Sequence, residues 1–324
     1  MSAPDAPGAA APHLLIPFAS HSGMACRAAL RELQLPHLQA LLARLTVTDE
    51  DRQDESSLSP PHERALARAI GLAGADGLLP WAALRALEQA LPGAEAGPWG
   101  LLSLCHWQVG LSEVVLGDPQ HVGITLGESD ALLAIARPYF DEDGLTVFAT
   151  SQPGQWLVRG ALLQDLPTAS VDRAVGQPLA PWLPMGDAAR PLRRLQNEMQ
   201  MLLYTSRVND DRTAQGKVPI NSFWLSGTGP APTQTLLPTP KVNDSLRESA
   251  LQDDGAGWAA RWQTLDAQVL APLRAQADAG QRVSLTLCGP KAALRLENKP
   301  RGLGGWLRSR FVRKPDVAAL LETL

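Results

Sequence analysis

Cysteine is scarce in this chain: Cys26, Cys105 and Cys288 are spread over 324 residues, and no two form a C-x-x-C pair. A small disulfide-stapled domain is excluded on length. An odd, widely spaced set predicts buried free thiols in a reducing compartment. No apolar run approaches the roughly 18 residues of a membrane span. The stretch from Met1 to Pro12 has neither the basic start nor the long apolar segment of a secretory signal. The expectation is a cytoplasmic protein. Histidine is absent after His121, and the six present (His13, His21, His37, His62, His106, His121) include no H-x-x-x-H pair. A G-x-S-x-G motif is missing, as is any repeat of fixed period.

Apolar residues make up 45% of the chain and charged residues 19%, enough for a full core and against wholesale disorder. Leu and Ala dominate the apolar content, which favours helices over an all-β sandwich. Gly and Pro, 27 each, predict many turns. The net charge of −4 is uneven: residues 291–315 hold eight Lys/Arg against one Glu, leaving −11 elsewhere. That argues against general nucleic-acid coating but allows a local basic contact.

Residues 1–12 read as a disordered lead-in. His13–Phe18 reads as a short buried strand, with Ala19–Gly23 as its loop. Leucines at helical spacing predict a helix over 26–45, broken or kinked at Pro36. Asp49–Glu55, with five acids in seven residues, reads as a solvated loop. A strand is predicted over 101–109 and a helix from 129 with Ser129 as N-cap. A hairpin is predicted across Gln152–Gly154. An amphipathic helix ends before Val208, a strand runs over 220–225, a helix over 258–277, and a closing hairpin over 282–296. The expected organisation is one globular region over 13–298, with a possible subdomain boundary near 125–140, and a basic tail over 299–324. Interleaved helices and short strands predict an α/β fold, a mixed sheet with flanking helices.

Three segments invite chemistry. Ser20-His21-Ser22 places hydroxyls beside an imidazole, yet suits a plain loop after a strand. Gly227-Thr228-Gly229 follows a strand, but Pro230 and Pro232 spoil the helix N-terminus a phosphate loop needs. The tail interleaves Trp306 and Phe311 with Arg301, Arg308, Arg310, Arg313 and Lys314. It suits an anionic membrane surface, nucleic acid or a protein partner, or a docked terminal helix with a solvated basic face. No metal site and no cofactor is predicted.

The run from Arg207 to Gly229 resembles a segment of the archaeal-type, cofactor-independent phosphoglycerate mutases of the alkaline phosphatase superfamily. Asn209, Arg212, Gly216, Pro219, Asn221 and Gly229 fall at matching places, and Gly154–Arg159 resembles that family's inserted substrate domain. The likeness is closer still to a proteobacterial phosphoglycerate mutase-like group, also labelled regulatory proteins of the pathogenicity-factor E type. It is carried by Asn197–Leu203 and Pro219–Trp224. The resemblance implies a reduced form of the superfamily fold. It also implies two metal ions held by carboxylates and histidines, one an Asp just after the first strand. Here no Asp lies between Asp5 and Asp49, and the late histidines are missing. Two-metal phosphoryl transfer loses its charge stabilisation without those ligands.

The expected function is therefore a non-catalytic regulatory or binding protein on a mutase-like scaffold, the alternative being a metal-independent phospho-ligand enzyme. Asn209, Arg212 and Asn221 read either as a fold-closing junction or, with Arg159 and Arg207, as an anion pocket for a small phospho-ligand.

Overall fold

The computed structural model describes residues 12–298 and 315–324. The strands are β1 (His13–Ile16), β2 (Leu45–Arg52), β3 (Pro98–Cys105), β4 (Trp107–Val109), β5 (Val114–Leu116), β6 (Thr146–Ala149), β7 (Gln155–Arg159), β8 (Ser222–Pro230), β9 (Lys241–Val242), β10 (Ser284–Cys288) and β11 (Ala292–Asn298). Helices flank two larger sheets, so the class is mixed α/β. The chain divides into two units. The first holds residues up to 55, 60–71 and those from 236 onward; the second holds 56–59 and 72–235. A helix, Leu126–Glu142, covers the stretch near 125–140 where a subdomain boundary is expected.

In the first unit a five-stranded sheet runs β2-β11-β10-β1-β9. β1 is parallel to both β9 and β10, whereas β10, β11 and β2 are antiparallel. Strands buried on both faces read as unbroken apolar runs, and Leu14, Leu15 and Ile16 are all buried. Alternation sends Leu14 and Ile16 into one core with Leu285, Leu287, Trp258 and Trp262. Leu15 faces the opposite way with Cys288 and Ala293, against Ala65 and Leu66 of the helix Pro61–Ile70. Fully burying one such aliphatic side chain contributes about 1.5–3 kcal/mol, so a one-residue slip of β1 exchanges its two apolar faces.

The expected helix over 26–45 is two helices, Met24–Glu32 and Pro36–Leu42. The second starts at Pro36, where a missing amide proton costs nothing. The Asp266 carboxylate caps it, accepting from the amides of His37 at 3.1 Å and Leu38 at 2.7 Å. Asp266 opens a π-helical turn, Asp266–Leu270, between Gly255–Leu265 and Ala271–Asp278. Pro272 has no amide proton for the carbonyl four residues back, which is a physical reason for the helix to widen there. The acidic run is corrected from loop to strand: Asp49–Arg52 pairs with β11. Asp51 meets Arg64 at 2.6 Å, and Arg68 lies 3.6 Å from both Asp49 and Asp51.

In the second unit an antiparallel sheet runs β6-β7-β3-β8, beside a β4-β5 ribbon. Helices Leu126–Glu142 and Arg190–Tyr204 contribute Leu132, Phe140, Leu192 and Met199 to a core with Leu102, Val158 and Phe223. Ala82, Ala83 and Ala86 of helix Trp81–Glu88 pack with Trp99 and Leu157 in a separate cluster.

Of the expected tail, residues 299–314 lie outside the described residues, and with them Arg301, Trp306, Arg308, Arg310, Phe311, Arg313 and Lys314. Val317–Glu322 is a helix whose Leu321 is buried in the first unit's core with Leu324. The lead-in up to residue 11 likewise lies outside.

Candidate functional site

Asn209, Arg212 and Asn221 form the junction between helix Arg190–Tyr204, the short helix Arg207–Ala214 and β8. Asn209 is buried; its amide nitrogen donates to Leu203 O at 2.8 Å and Ile220 O at 2.6 Å, and its oxygen accepts from Ile220 N at 2.8 Å. Arg212 is fully buried. It donates to Val218 O, to Val122 O and, at 3.0 Å, to the Glu128 carboxylate. Burial alone would push the Glu128 carboxyl up; the Thr125 amide and hydroxyl and the Arg212 charge outweigh it and hold it below its ordinary value. Asn221 bonds both the amide and the carbonyl of Trp107.

Arg159 is engaged elsewhere, donating to Pro92 O and Gly93 O and lying over the Trp99 ring at 5.6 Å. Arg207 is 92% exposed and lies 3.9 Å from Asp211. Among the described residues, then, the three guanidinium groups share no hydrogen-bond or ion-pair partner. The helix start expected at Ser129 is also corrected. Thr125 is the cap, closing a reciprocal box with Glu128. Ser129 instead accepts from Gly154 N and Trp156 Nε1, both at 3.1 Å.

The Gly227-Thr-Gly229 turn lies within β8. Gly227 has φ 63°, and a Cβ there would press on Trp81 and Ala82. The Thr228 hydroxyl, fully buried, donates to Leu166 O at 2.6 Å. Close packing accounts for both glycines, against Trp81 and Ala82 of the helix Trp81–Glu88 at Gly227 and against Leu78 and Pro80 at Gly229.

A second constellation gathers in the first unit, at the carboxyl end of β1. In open sheets with parallel strands, ligands bind outside the strands' carboxyl ends. β1 stops at Ile16, and Phe18 adopts φ 55°, a left-handed conformation rare for a bulky side chain. Two indoles hold this turn. Trp258 Nε1 donates to Phe18 O at 3.0 Å and Trp262 Nε1 to Ala19 O at 3.2 Å. His21 follows, and its Nδ1 accepts from Gly23 N at 3.1 Å. That bond leaves Nδ1 unprotonated, so the ring is neutral with its proton on Nε2. Burial holds its pKa below the ordinary value.

Gly23 then starts helix Met24–Glu32 without a side-chain cap of its own. The cap comes from far along the chain: the Asp253 carboxylate accepts from Ala25 N at 3.1 Å and Cys26 N at 3.0 Å. A Cβ at position 23 would run into that carboxylate. Asp253 itself sits at φ 49°. Burial works against its charge, but the two amides and the Cys26 thiol outweigh it and hold the Asp253 carboxyl below the ordinary range. The Cys26 thiol is buried, and burial, followed by the neighbouring Asp253, pushes its pKa up to about 12. A ring nitrogen of His21, the sulfur of Cys26 and a carboxylate oxygen of Asp253 all lie within 4.8 Å of one another.

This donor set does not fit the two-metal centre that the sequence resemblance implied. It offers one nitrogen, one sulfur and one carboxylate, and it is the one such group of three or more among the described residues. Nor does His21 serve either neighbouring serine as a base: among the described residues it bonds an amide, not the Ser20 or Ser22 hydroxyl. Sequence reasoning weighed His21 but missed its partners, because Asp253 lies 227 positions from Cys26 and no local spacing joins them.

All three cysteines are free and buried. Among the described residues no helix is long and apolar enough to cross a membrane.

No family model matches this sequence. No curated protein matches it either. Among solved structures, the chain is similar to the cofactor-independent phosphoglycerate mutase from Thermoplasma acidophilum DSM 1728. Identity is 14%, over 97% of this chain and 99% of that one, with a TM-score of 0.36. It is also similar to the PH0037 protein from Pyrococcus horikoshii, at 12% identity over 89% of this chain and 87% of that one, with a TM-score of 0.40. No residue role is carried over from either.

Proposed function

We propose that this chain is a non-catalytic binding or regulatory protein on a mutase-like scaffold. The observation that carries this reading is the protonation and bonding of the groups at the carboxyl end of β1. His21 spends its lone pair on the Gly23 amide. Asp253 spends both carboxylate oxygens on a helix N-terminus. The Cys26 thiol, raised to about 12, stays protonated at neutral pH. A nucleophile needs a deprotonated atom or an adjacent base able to take its proton; the Asp253 carboxylate beside the Cys26 thiol is held below its ordinary range, too weak a base for a thiol raised to about 12. Arg212, on which a metal-independent phospho-ligand enzyme would lean, has its donors committed to Glu128 and two carbonyls. Buried and bonded so, it supports a junction rather than an anion pocket.

The reading is tested by assaying purified protein for phosphoglycerate mutase and phosphatase turnover, with divalent cations and after chelation. A thermal-shift panel of phosphoglycerates, nucleotides and metals is run alongside. Binding to the native state raises the melting point by mass action. The expected result is a shift from a panel member and no turnover. Chelator-sensitive turnover would overturn the reading.

A further inference from the structure

We propose that His21, Cys26 and Asp253 form a binding site for a single thiophilic divalent cation of the zinc type. The inference deepens the reading above by naming what the β1 end binds. It starts from the disagreement already described, since the donors gathered there suit one soft ion and not a pair of hard ones.

The chemistry of the set selects the ion. A thiolate with an imidazole and a carboxylate favours zinc and its neighbours over magnesium or calcium, which take oxygen ligands. Three protein ligands leave one tetrahedral position for water or a partner's atom. One of the three donors is already in the state that a cation needs. Asp253 is held ionised by the Ala25 and Cys26 amides, whereas the single Nδ1 lone pair of the neutral His21 ring accepts from the Gly23 amide and must turn from it to the cation. Each carboxylate oxygen carries a second lone pair, so both amide bonds can persist when one oxygen ligates. Cys26 must change its protonation. Its S–H bond breaks, the proton leaves to solvent, and the S–metal bond forms; the cation supplies the positive charge that the buried thiolate lacks.

Geometry supports it independently. The three ligand atoms come from the β1 turn (His21), the first turn of helix Met24–Glu32 (Cys26) and the loop before helix Gly255–Leu265 (Asp253), and lie within 4.8 Å of one another. Tetrahedral zinc at ~2.0–2.3 Å from its ligands sets them roughly 3.3–3.8 Å apart, so the set closes by at most about 1.5 Å. His21 and Asp253 are half-buried while Cys26 is buried, which gives the ion a way in and a dry sulfur to rest on. The absence of a side chain at Gly23 lets Asp253 sit this close.

The test uses the full chain and cobalt(II) as a spectroscopic stand-in for zinc. The wild type should bind one cobalt per chain with a thiolate-to-cobalt charge-transfer band in the near ultraviolet, and zinc should displace it. Cys26→Ala should abolish the band and weaken zinc binding at least tenfold, with the far-ultraviolet circular dichroism unchanged. Cys105→Ala should keep the band. Should Cys26→Ala fail to fold, His21→Ala on the half-buried turn should shift the visible ligand-field bands of bound cobalt. No charge-transfer band in the wild type, or a band that survives Cys26→Ala, overturns the site and leaves the non-catalytic reading standing. Turnover by the zinc-loaded protein overturns that reading and leaves the site standing.

Discussion

Arg212 shows how a single residue decides a junction. A fully buried guanidinium is tolerated only when charge and donors are both met, and Glu128, Val122 O and Val218 O meet them. Arg212→Ala strands a carboxylate and two carbonyls. The expected loss is about 3–5 kcal/mol, read as a lower denaturant midpoint at unchanged slope. A loss under about 1 kcal/mol would contradict the account. His13 carries the clearest pH effect. Burial, with the Arg295 charge beside it, lowers its pKa from 6.5 to about 4 in the folded chain, and its Nε2 lies 2.8 Å from the Thr286 hydroxyl. As pH falls, the unfolded chain therefore takes up the proton first. Stability is whole above about 6.5 and declines towards about 4. His13→Asn should flatten that part of the stability–pH curve; an unchanged slope would contradict the assignment.

At the scale of elements, distant carboxylates take over tasks that local sequence leaves undone. Helices Met24–Glu32 and Pro36–Leu42 have no side-chain cap of their own; Asp253 and Asp266 supply one each. Helix Leu126–Glu142 is the contrast, capped locally by Thr125 and Glu128. The account orders two substitutions there. Thr125→Ala should cost about 1 kcal/mol, the usual worth of an N-cap. Ser129→Ala should cost more, about 2 kcal/mol or above, since it strands the buried Gly154 amide and Trp156 indole. Thermal melts of the two variants check the order, and the reverse order would restore Ser129 as the cap.

The same contrast explains what was legible in the sequence. β1, the β10–β11 hairpin, the break at Pro36 and the amphipathic helix around Leu195 follow from patterns within a few residues, and the structure contains each of them. The acidic run misled because its charge is neutralised by Arg64 and Arg68 from a different element. The short helix Arg207–Ala214 hides because it has almost no amphipathic pattern, and only Asn209 and Arg212 on it are buried. The His21–Cys26–Asp253 group was invisible for the same reason at longer range: its members are joined by the β1 turn and the Asp253 cap, not by spacing.

At the scale of the molecule, two sheets with separate cores carry the chain. The C-terminal helix belongs to the first core: Leu321 is fully buried. The Leu324 carbonyl accepts from Lys291 N and Ala292 N. Leu321→Ala should cost about 2–5 kcal/mol, read by the melting point. Deleting residues 299–324 is accordingly a poor test of the basic segment, because it also removes Leu321 and Leu324. Substituting Arg308, Arg310, Arg313 and Lys314 with Gln isolates their charge. If the segment contacts nucleic acid or an anionic membrane, salt-sensitive binding should disappear with the fold intact.

The central claim is that the carboxyl end of β1 binds without turning substrate over. The most direct measurement is phosphoglycerate mutase and phosphatase turnover by the full chain, compared before and after loading with zinc, magnesium or manganese and again after chelation. The account predicts no turnover in any state. Turnover that appears on loading, disappears with chelator and is lost in Cys26→Ala would contradict it.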